Sequence, residues 1–358
     1  MHTLTYKNER IRYQFFFISA LFIITEIQSF GSPKPPSSIN LINWAGYFAG
    51  GLDKDLQIRF PELSLTEYKS NEEALVKLTK NEHPFHLAIL STVLTPIIYQ
   101  NNQIENASGK FQKSRYVNFL QQSSINYCLP FQWGVTVYLD RSHQNKDFSL
   151  KDILISGDRT RHYVQDDMIE IVSMLYSEFL TSKKYQKPVA HLSDLNNPKV
   201  FSEFETFLNS IKAHQSPKSL FTTPIQAHIE TIYGAIGFLE PMASKNKSFR
   251  FAVPQKPVAG ADYLCLLNNK HSLSLADQQK IDQIFSYLSS EDFLKSVSMK
   301  RKYFTPFKQD QKHQHELESA AINMISHSGY VEPDPISPDV HKKLNLWWQK
   351  FRFGYERS

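Results

Sequence analysis

Glycine and cysteine are scarce in this chain, with 12 and 2 among 358 residues. None of the glycines falls into GxGxxG or GxxxxGK[ST], which excludes the phosphate-cradling loops of nucleotide-binding folds. GxSxG and HExxH are absent as well, so a hydrolase elbow and a zincin helix are excluded. The 13 histidines form no ligand set. His83 and His86 flank Pro84, which breaks a shared helical face, and His313 and His315 stand in a polar tail without a third ligand. No metal and no cofactor is expected. The formal net charge is +5, and the 40 basic residues are scattered without a dense tract, which argues against a nucleic-acid partner. The main apolar run, Phe15 to Ile24 broken at Ser19, is shorter than the about 20 residues that span a bilayer.

The composition that remains, 41% hydrophobic and 21% charged, is that of a globular protein long enough for two domains. Residues 1–31 read as an export signal: Lys7, Arg10 and Arg12, then the apolar run, then Ser29-Phe30-Gly31. No cysteine follows the run, so a lipid-modified N-terminus is not expected, and the predicted location is the periplasm. Residues 32–38 (SPKPPSS) form a linker. Cys128 and Cys265 either bridge in that oxidising compartment or stand as two buried small hydrophobes, since their separation in space is not readable from the sequence.

From Ile39 onward, strand and helix patterns alternate. Ile39–Trp44 and Leu63–Tyr68 read as strands around a short helix at Leu52–Phe60. Ser70-Asn71-Glu72-Glu73 is a capping box that starts a second helix, and Phe85–Leu90 is a third strand ending in Ser91-Thr92. Such a rhythm implies parallel strands with right-handed crossovers, and ligands bind outside the carboxyl ends of such strands. The loops after Trp44 and after Ser91 therefore share one edge. Tyr127–Asp140 reads as a long strand entered through Pro130 and kinked at Gly134. Helices are expected at Asp166–Leu180, Asn196–Ile211, Ala276–Leu288 and Glu291–Val297, with a last helix carrying Trp347, Trp348 and Phe351.

Two carboxylate features carry chemistry. Asp167 and Glu170 are three apart at a helix start and share a face, although acidic residues are also favoured there by the helix dipole alone. Asp262 opens an apolar strand, where a carboxylate is costly to bury without a partner. The alternative is a turn residue that caps a bend at Ala259-Gly260-Ala261.

The stretches INLINWAGYF, LPFQWGVTVYLD, DDMIE, IYGAIGF, DYLCLL and KRKYFTPF, with the Ser91-Thr92 strand end, stand in an order that resembles the bacterial periplasmic spermidine/putrescine-binding proteins, the solute-binding components of polyamine ABC importers. The resemblance covers most of residues 39–310. It implies an α/β, two-lobed type II periplasmic binding protein fold with the ligand in a cleft between lobes joined by crossing strands. Lobe one would comprise residues 39–137 and 260–310, lobe two residues 138–259, followed by a C-terminal tail and helix over 311–358. It further implies a non-enzymatic monomer with two partners, a small polycationic ligand and a membrane permease. Trp44, Tyr47, Ser91, Thr92 and Tyr303 would meet the ligand from lobe one, Asp167, Glu170 and Tyr233 from lobe two, and Asp262 would hold an ammonium.

This sequence departs from the family at three places. Val93 stands where an aromatic is common, Gly260 where a tryptophan is common two residues before the aspartate, and Tyr233 replaces a tryptophan. These departures keep a different amine or another small solute as an alternative ligand. A degenerate pocket in a sensor or interaction protein is a further alternative, with Trp347 and Trp348 either docking a partner or packing the last helix. An enzyme using Cys128 is disfavoured because no base stands beside it.

Overall fold

A computed structural model describes residues 39–80, 83–110, 112–121, 125–141, 149–156, 162–164, 168–183, 188–211, 231–235, 239, 248–268, 273–301, 303–309 and 316–353. The expected signal and linker, Asp167, and His313 and His315 lie outside these residues.

The chain opens with β1 (Ile39–Trp44), α1 (Leu52–Arg59), β2 (Leu63–Tyr68), α2 (Asn71–Leu78) and β3 (Leu87–Ser91). β1 pairs in parallel with β2 on one side and β3 on the other, as the alternation predicts. The capping box forms with one difference. Ser70 Oγ accepts the Glu73 N–H at 3.2 Å, but Glu73 reaches past Ser70 to accept the Lys69 N–H at 2.8 Å. Glu73 also pairs with Lys77 one turn on, at 2.8 Å.

Further helices are α3 (Leu94–Gln100), α4 (Asn118–Gln121), α5 (Leu150–Ser156), α6 (Met168–Ser182), α7 (Pro198–Asn209), α8 (Leu275–Leu288), α9 (Glu291–Arg301), α10 (Glu316–Ser328) and α11 (Pro338–Phe353). Further strands are β4 (Leu129–Asp140), β5 (His162–Val164), β6 (Val189–His191), β7 (Thr231–Ala235), β8 (Arg250–Ala252), β9 (Ala259–Leu266) and β10 (Tyr330–Glu332). The main sheet runs β2-β1-β3-β9-β4-β7-β5, with β8 on β4.

β4 joins the two halves of this sheet. Its residues 129–135 pair antiparallel with β9, and its residues 136–140 pair with β7, the last three also with β8. At the changeover the Thr136 N–H donates to the Val258 carbonyl at 3.0 Å, and the Val258 N–H donates back to Thr136 Oγ1 at 3.2 Å. The register shift in β4 lies between Pro130 and Gln132, whereas Gly134 pairs in register with Gly260. Pro130 has no N–H to give the ladder, and the irregularity in pairing falls beside it rather than at Gly134.

Two hydrophobic cores flank the changeover. One gathers Leu41, Leu87, Ile89, Phe131, Leu264 and Phe285. The other gathers Leu150, Leu175, Leu192, Phe204, Leu344 and Trp348. The tail is built into both, since Leu317 and Ala321 of α10 enter the first and Trp347, Trp348 and Phe351 of α11 enter the second. These tryptophans pack α11 onto the fold. β10 pairs in parallel with β6, a contact between short strands far apart in sequence.

Cys128 and Cys265 form a disulfide. They follow on from the Leu129–Leu264 register of β4 and β9, with Cα atoms 4.7 Å apart. That spacing suits a non-hydrogen-bonded antiparallel pair, at about 4.5 Å, and lies within disulfide reach. Cys128 therefore presents no thiol, which removes it as a nucleophile.

Candidate ligand-binding cleft

A cleft of about 670 Å³ opens at the changeover between the two cores. The parallel strands β2, β1 and β3 end on it, and each delivers residues at or just past its carboxyl end: Lys69 to Glu72 after β2, Trp44, Ala45 and Tyr47 at the end of β1, and Ser91 to Val93 at the end of β3. This is the edge on which open α/β sheets place ligands. β4 and β9 supply the floor, and the first turn of α6 faces it with Met168, Ile169 and Glu170.

Seven of the residues singled out in the sequence line this one cleft: Trp44, Tyr47, Ser91, Thr92, Glu170, Asp262 and Tyr303. Asp167 lies outside the described residues. Tyr233 sits in β7 opposite Tyr138 of β4, and its side chain is likewise outside them.

Asp262 is the centre of the arrangement. It is only partly exposed, and the Tyr47 hydroxyl donates to its carboxylate. Burial pushes the Asp262 carboxyl up from 3.8 to about 7, and the neighbouring Trp44 side chain opposes this only in part. A carboxylate has about four lone-pair sites, so acceptor capacity remains after this donor. Without a cation beside it, this group is half protonated near neutrality.

The aromatic residues divide by burial. Trp44 is half-buried against Tyr68, ring centroids 4.6 Å apart, and keeps part of its surface for the cleft. Tyr47 is buried, stacked on Phe131 at 6.0 Å and edge-on to Tyr303 at 6.0 Å, so its contribution to the cleft is chiefly the hydroxyl that orients Asp262. Phe48 is buried among Phe131 and Phe293.

Ser91 and Thr92 line the cleft with hydroxyls that already have partners in the fold. Ser91 Oγ donates to Asn71 Oδ1 at 2.8 Å and accepts the Leu94 N–H at 3.2 Å, tying α2 to the start of α3. Thr92 Oγ1 donates to the Ala261 carbonyl at 2.8 Å and accepts the Ala261 N–H at 3.0 Å, locking β3 to β9 one residue before Asp262.

Sequence reasoning missed several lining residues. Lys69, Asn71 and Glu72 were signalled by the capping box, because it marks the carboxyl end of β2 on the same edge. Trp133 to Thr136 lay inside a stretch already quoted for its pattern. Pro333 comes from the tail, and nothing local marks it as part of a cleft. The ionisable lining is acidic on balance: Glu72, Glu170 and Asp262 against Lys69. No group of three or more potential metal ligands occurs among the described residues.

The mixed sheet, the crossing strand and the cleft between two cores form a fold shared with solved ABC solute-binding proteins. A putative spermidine/putrescine ABC transporter from Listeria monocytogenes superposes with a TM-score of 0.65 at 13% identity, covering 89% of this chain and 100% of that one. An ABC substrate-binding protein of the same organism, in complex with cycloalternan, gives 0.61 at 10% identity over 88% of this chain and 92% of its own. Clostridium botulinum thiaminase I in complex with thiamin gives 0.56 at 11% identity over 87% and 98%. At these identities the likeness is one of fold. No protein-family model matches the sequence, and no curated protein matches it as a relative.

Proposed function

We propose that this chain is an exported solute-binding protein that captures a polyamine, spermidine or putrescine, in the cleft and delivers it to the membrane permease of an ABC importer. The observation that carries the reading is the joint presence of Asp262, Glu170 and Glu72 with Trp44 and Tyr303 around one cleft between two cores. A polyamine is a flexible methylene chain with positive charges at intervals. Carboxylates meet its ammonium groups through charge-assisted hydrogen bonds. Aromatic faces cover the methylenes and add cation–π attraction of about 0.5–2 kcal/mol each. In this reading Asp262 takes one ammonium, and Glu170, joined by Asp167, takes another. Trp44, Tyr303 and Tyr233 flank the chain between them, while Tyr47, Ser91 and Thr92 hold the geometry. Closure of the lobes about β4 and β9 traps the ligand. The disulfide and the N-terminal pattern support the periplasm as the place of action. The protein acts as a monomer, without catalysis.

The test is calorimetric titration of the protein and of two variants, Asp262→Ala and Trp44→Ala, with spermidine and putrescine. Both variants should bind more weakly than the parent, and unchanged affinity in both defeats the site assignment. A second reading keeps the fold and changes the solute. It is favoured by Val93 and Gly260, which remove two aromatic walls, and by the carbohydrate bound to one protein of the same fold. A competition screen in which a non-amine displaces both polyamines decides for it.

A further inference from the structure

The C-terminal segment reaches the cleft through Pro333. β9 reaches Asp262 through Ala259-Gly260-Ala261, so it brings no large side chain to the floor before the carboxylate. A methyl group placed on Gly260 would meet Pro333 Cγ at 3.5 Å, Pro333 Cδ at 3.8 Å and Thr92 Oγ1 at 3.9 Å. The space over Gly260 is thus taken by a ring from the tail, and that ring lines the cleft.

The segment that carries this ring is held firmly. The Val331 N–H donates to the Pro257 carbonyl at 3.0 Å, and β10 pairs with β6. The Asp334 N–H closes a three-residue turn about Pro333 by donating to the Glu332 carbonyl at 3.0 Å. The flanking carboxylates are engaged elsewhere. Glu332 Oε2 lies 3.5 Å from His191 Nδ1. Asp334 lies at the same distance from that nitrogen and accepts the Ser193 N–H at 2.7 Å and the Ser193 hydroxyl at 2.6 Å. What Pro333 offers the cleft is a saturated ring with no side-chain donor or acceptor, and its nitrogen has no hydrogen. Gly260 and Asp262 are two residues apart on one strand, hence on one face and about 7 Å apart. That separation is within reach of a short alkyl chain anchored at Asp262.

We infer that Pro333 is a specificity-determining residue, whose ring over Gly260 selects ligands with a run of methylenes next to the ammonium held by Asp262. The inference rests on the amine reading of the cleft and sharpens it: the charge is read by β9 and the lobes, the apolar spacer by the tail. A hydroxyl placed against the ring gives up its hydrogen bonds to water and gains none in return.

The experiment is calorimetry of the full chain with diamines of three to six carbons and with the three-carbon diamine bearing a hydroxyl on its middle carbon. The parent protein should prefer the plain three-carbon diamine over the hydroxylated one by about tenfold or more. Pro333→Ser should bring the two toward parity, and Pro333→Ala should weaken the plain diamines by about fivefold while both retain the parent's thermal transition. Should either variant fail to fold, Gly260→Val presses on the ring from the other side and should weaken the plain diamines likewise. If the parent binds diamines but the preference survives all these changes within about twofold, the role of Pro333 is overturned and the amine reading stands. If the parent binds spermidine but none of these diamines, the role of Pro333 is overturned and the amine reading stands; if it binds neither spermidine nor any diamine, the amine reading falls and the inference with it.

Discussion

Asp262 should make the ligand-free protein less stable at neutral pH than an otherwise identical chain without the charge. Burial lifts its carboxyl from 3.8 to about 7 in the folded state. In the unfolded chain the group has its ordinary value. Between these two values the folded state binds a proton that the unfolded state has lost, so stability falls as pH rises from about 4 to about 7 and is flat above. The span corresponds to about 4 kcal/mol at 1.36 kcal/mol per tenfold, an upper figure because the side chain keeps some contact with water in the cleft. Asp262→Asn keeps the shape and removes the titration. Urea denaturation of parent and variant at pH 4.5, 6 and 8 (about three points across the window) measures the difference. The variant should gain on the parent progressively up to pH 8, by about 2–4 kcal/mol in all, while losing amine binding. A stability difference that does not change with pH, or a parent that outlasts the variant at pH 8, refutes the account of Asp262 as a carboxylate held at a cost until a cation arrives.

Three further expectations concern Asp262, the disulfide and Gly329. If a bound ammonium keeps Asp262 ionised, amine affinity should be about tenfold weaker at pH 6 than at pH 8, a dependence that calorimetry at the two pH values detects and that Asp262→Asn should flatten. The Cys128–Cys265 bridge closes a separation of 137 residues, for which the chain-entropy relation gives about 5 kcal/mol at 25 °C, so reduction or Cys128→Ala with Cys265→Ala should lower stability by about 2–5 kcal/mol, and an unmoved denaturation midpoint contradicts it. Gly329 has φ 72° at the end of α10, and a methyl group there would lie 2.1 Å from the Pro188 carbonyl oxygen, so Gly329→Ala should destabilise by about 2–4 kcal/mol, read from the same denaturation curves.

The first third of the fold was legible because its signals are local. The apolar runs at Ile39–Trp44 and Leu63–Tyr68 and the Ser70 capping box fix elements within a few residues, and the βαβ rule then sets the parallel pairing. From that, one sheet edge and with it Trp44, Ser91 and Thr92 could be placed in the cleft. What stayed hidden depends on distant contacts. α10 packs Leu317 and Ala321 into a core formed by distant residues, and β10 becomes a strand only by pairing with β6, itself three residues long. The disulfide required the register of β4 against β9, which no single-strand pattern contains. The wall over Gly260 required knowing that the tail returns to the cleft. The roles of Ser91 and Thr92 show a further limit. A polar side chain at a strand end lines a cleft by position, yet its hydroxyl can be committed to holding neighbouring elements together.

The central claim is that the cleft binds a polyamine. It is tested most directly by calorimetric titration of the protein at pH 8 with spermidine and putrescine, alongside a maltooligosaccharide as a neutral polyhydroxyl control. Saturable one-to-one binding of an amine, lost on Asp262→Ala and absent for the saccharide, is the predicted result. Binding of the saccharide with no heat from either amine contradicts it.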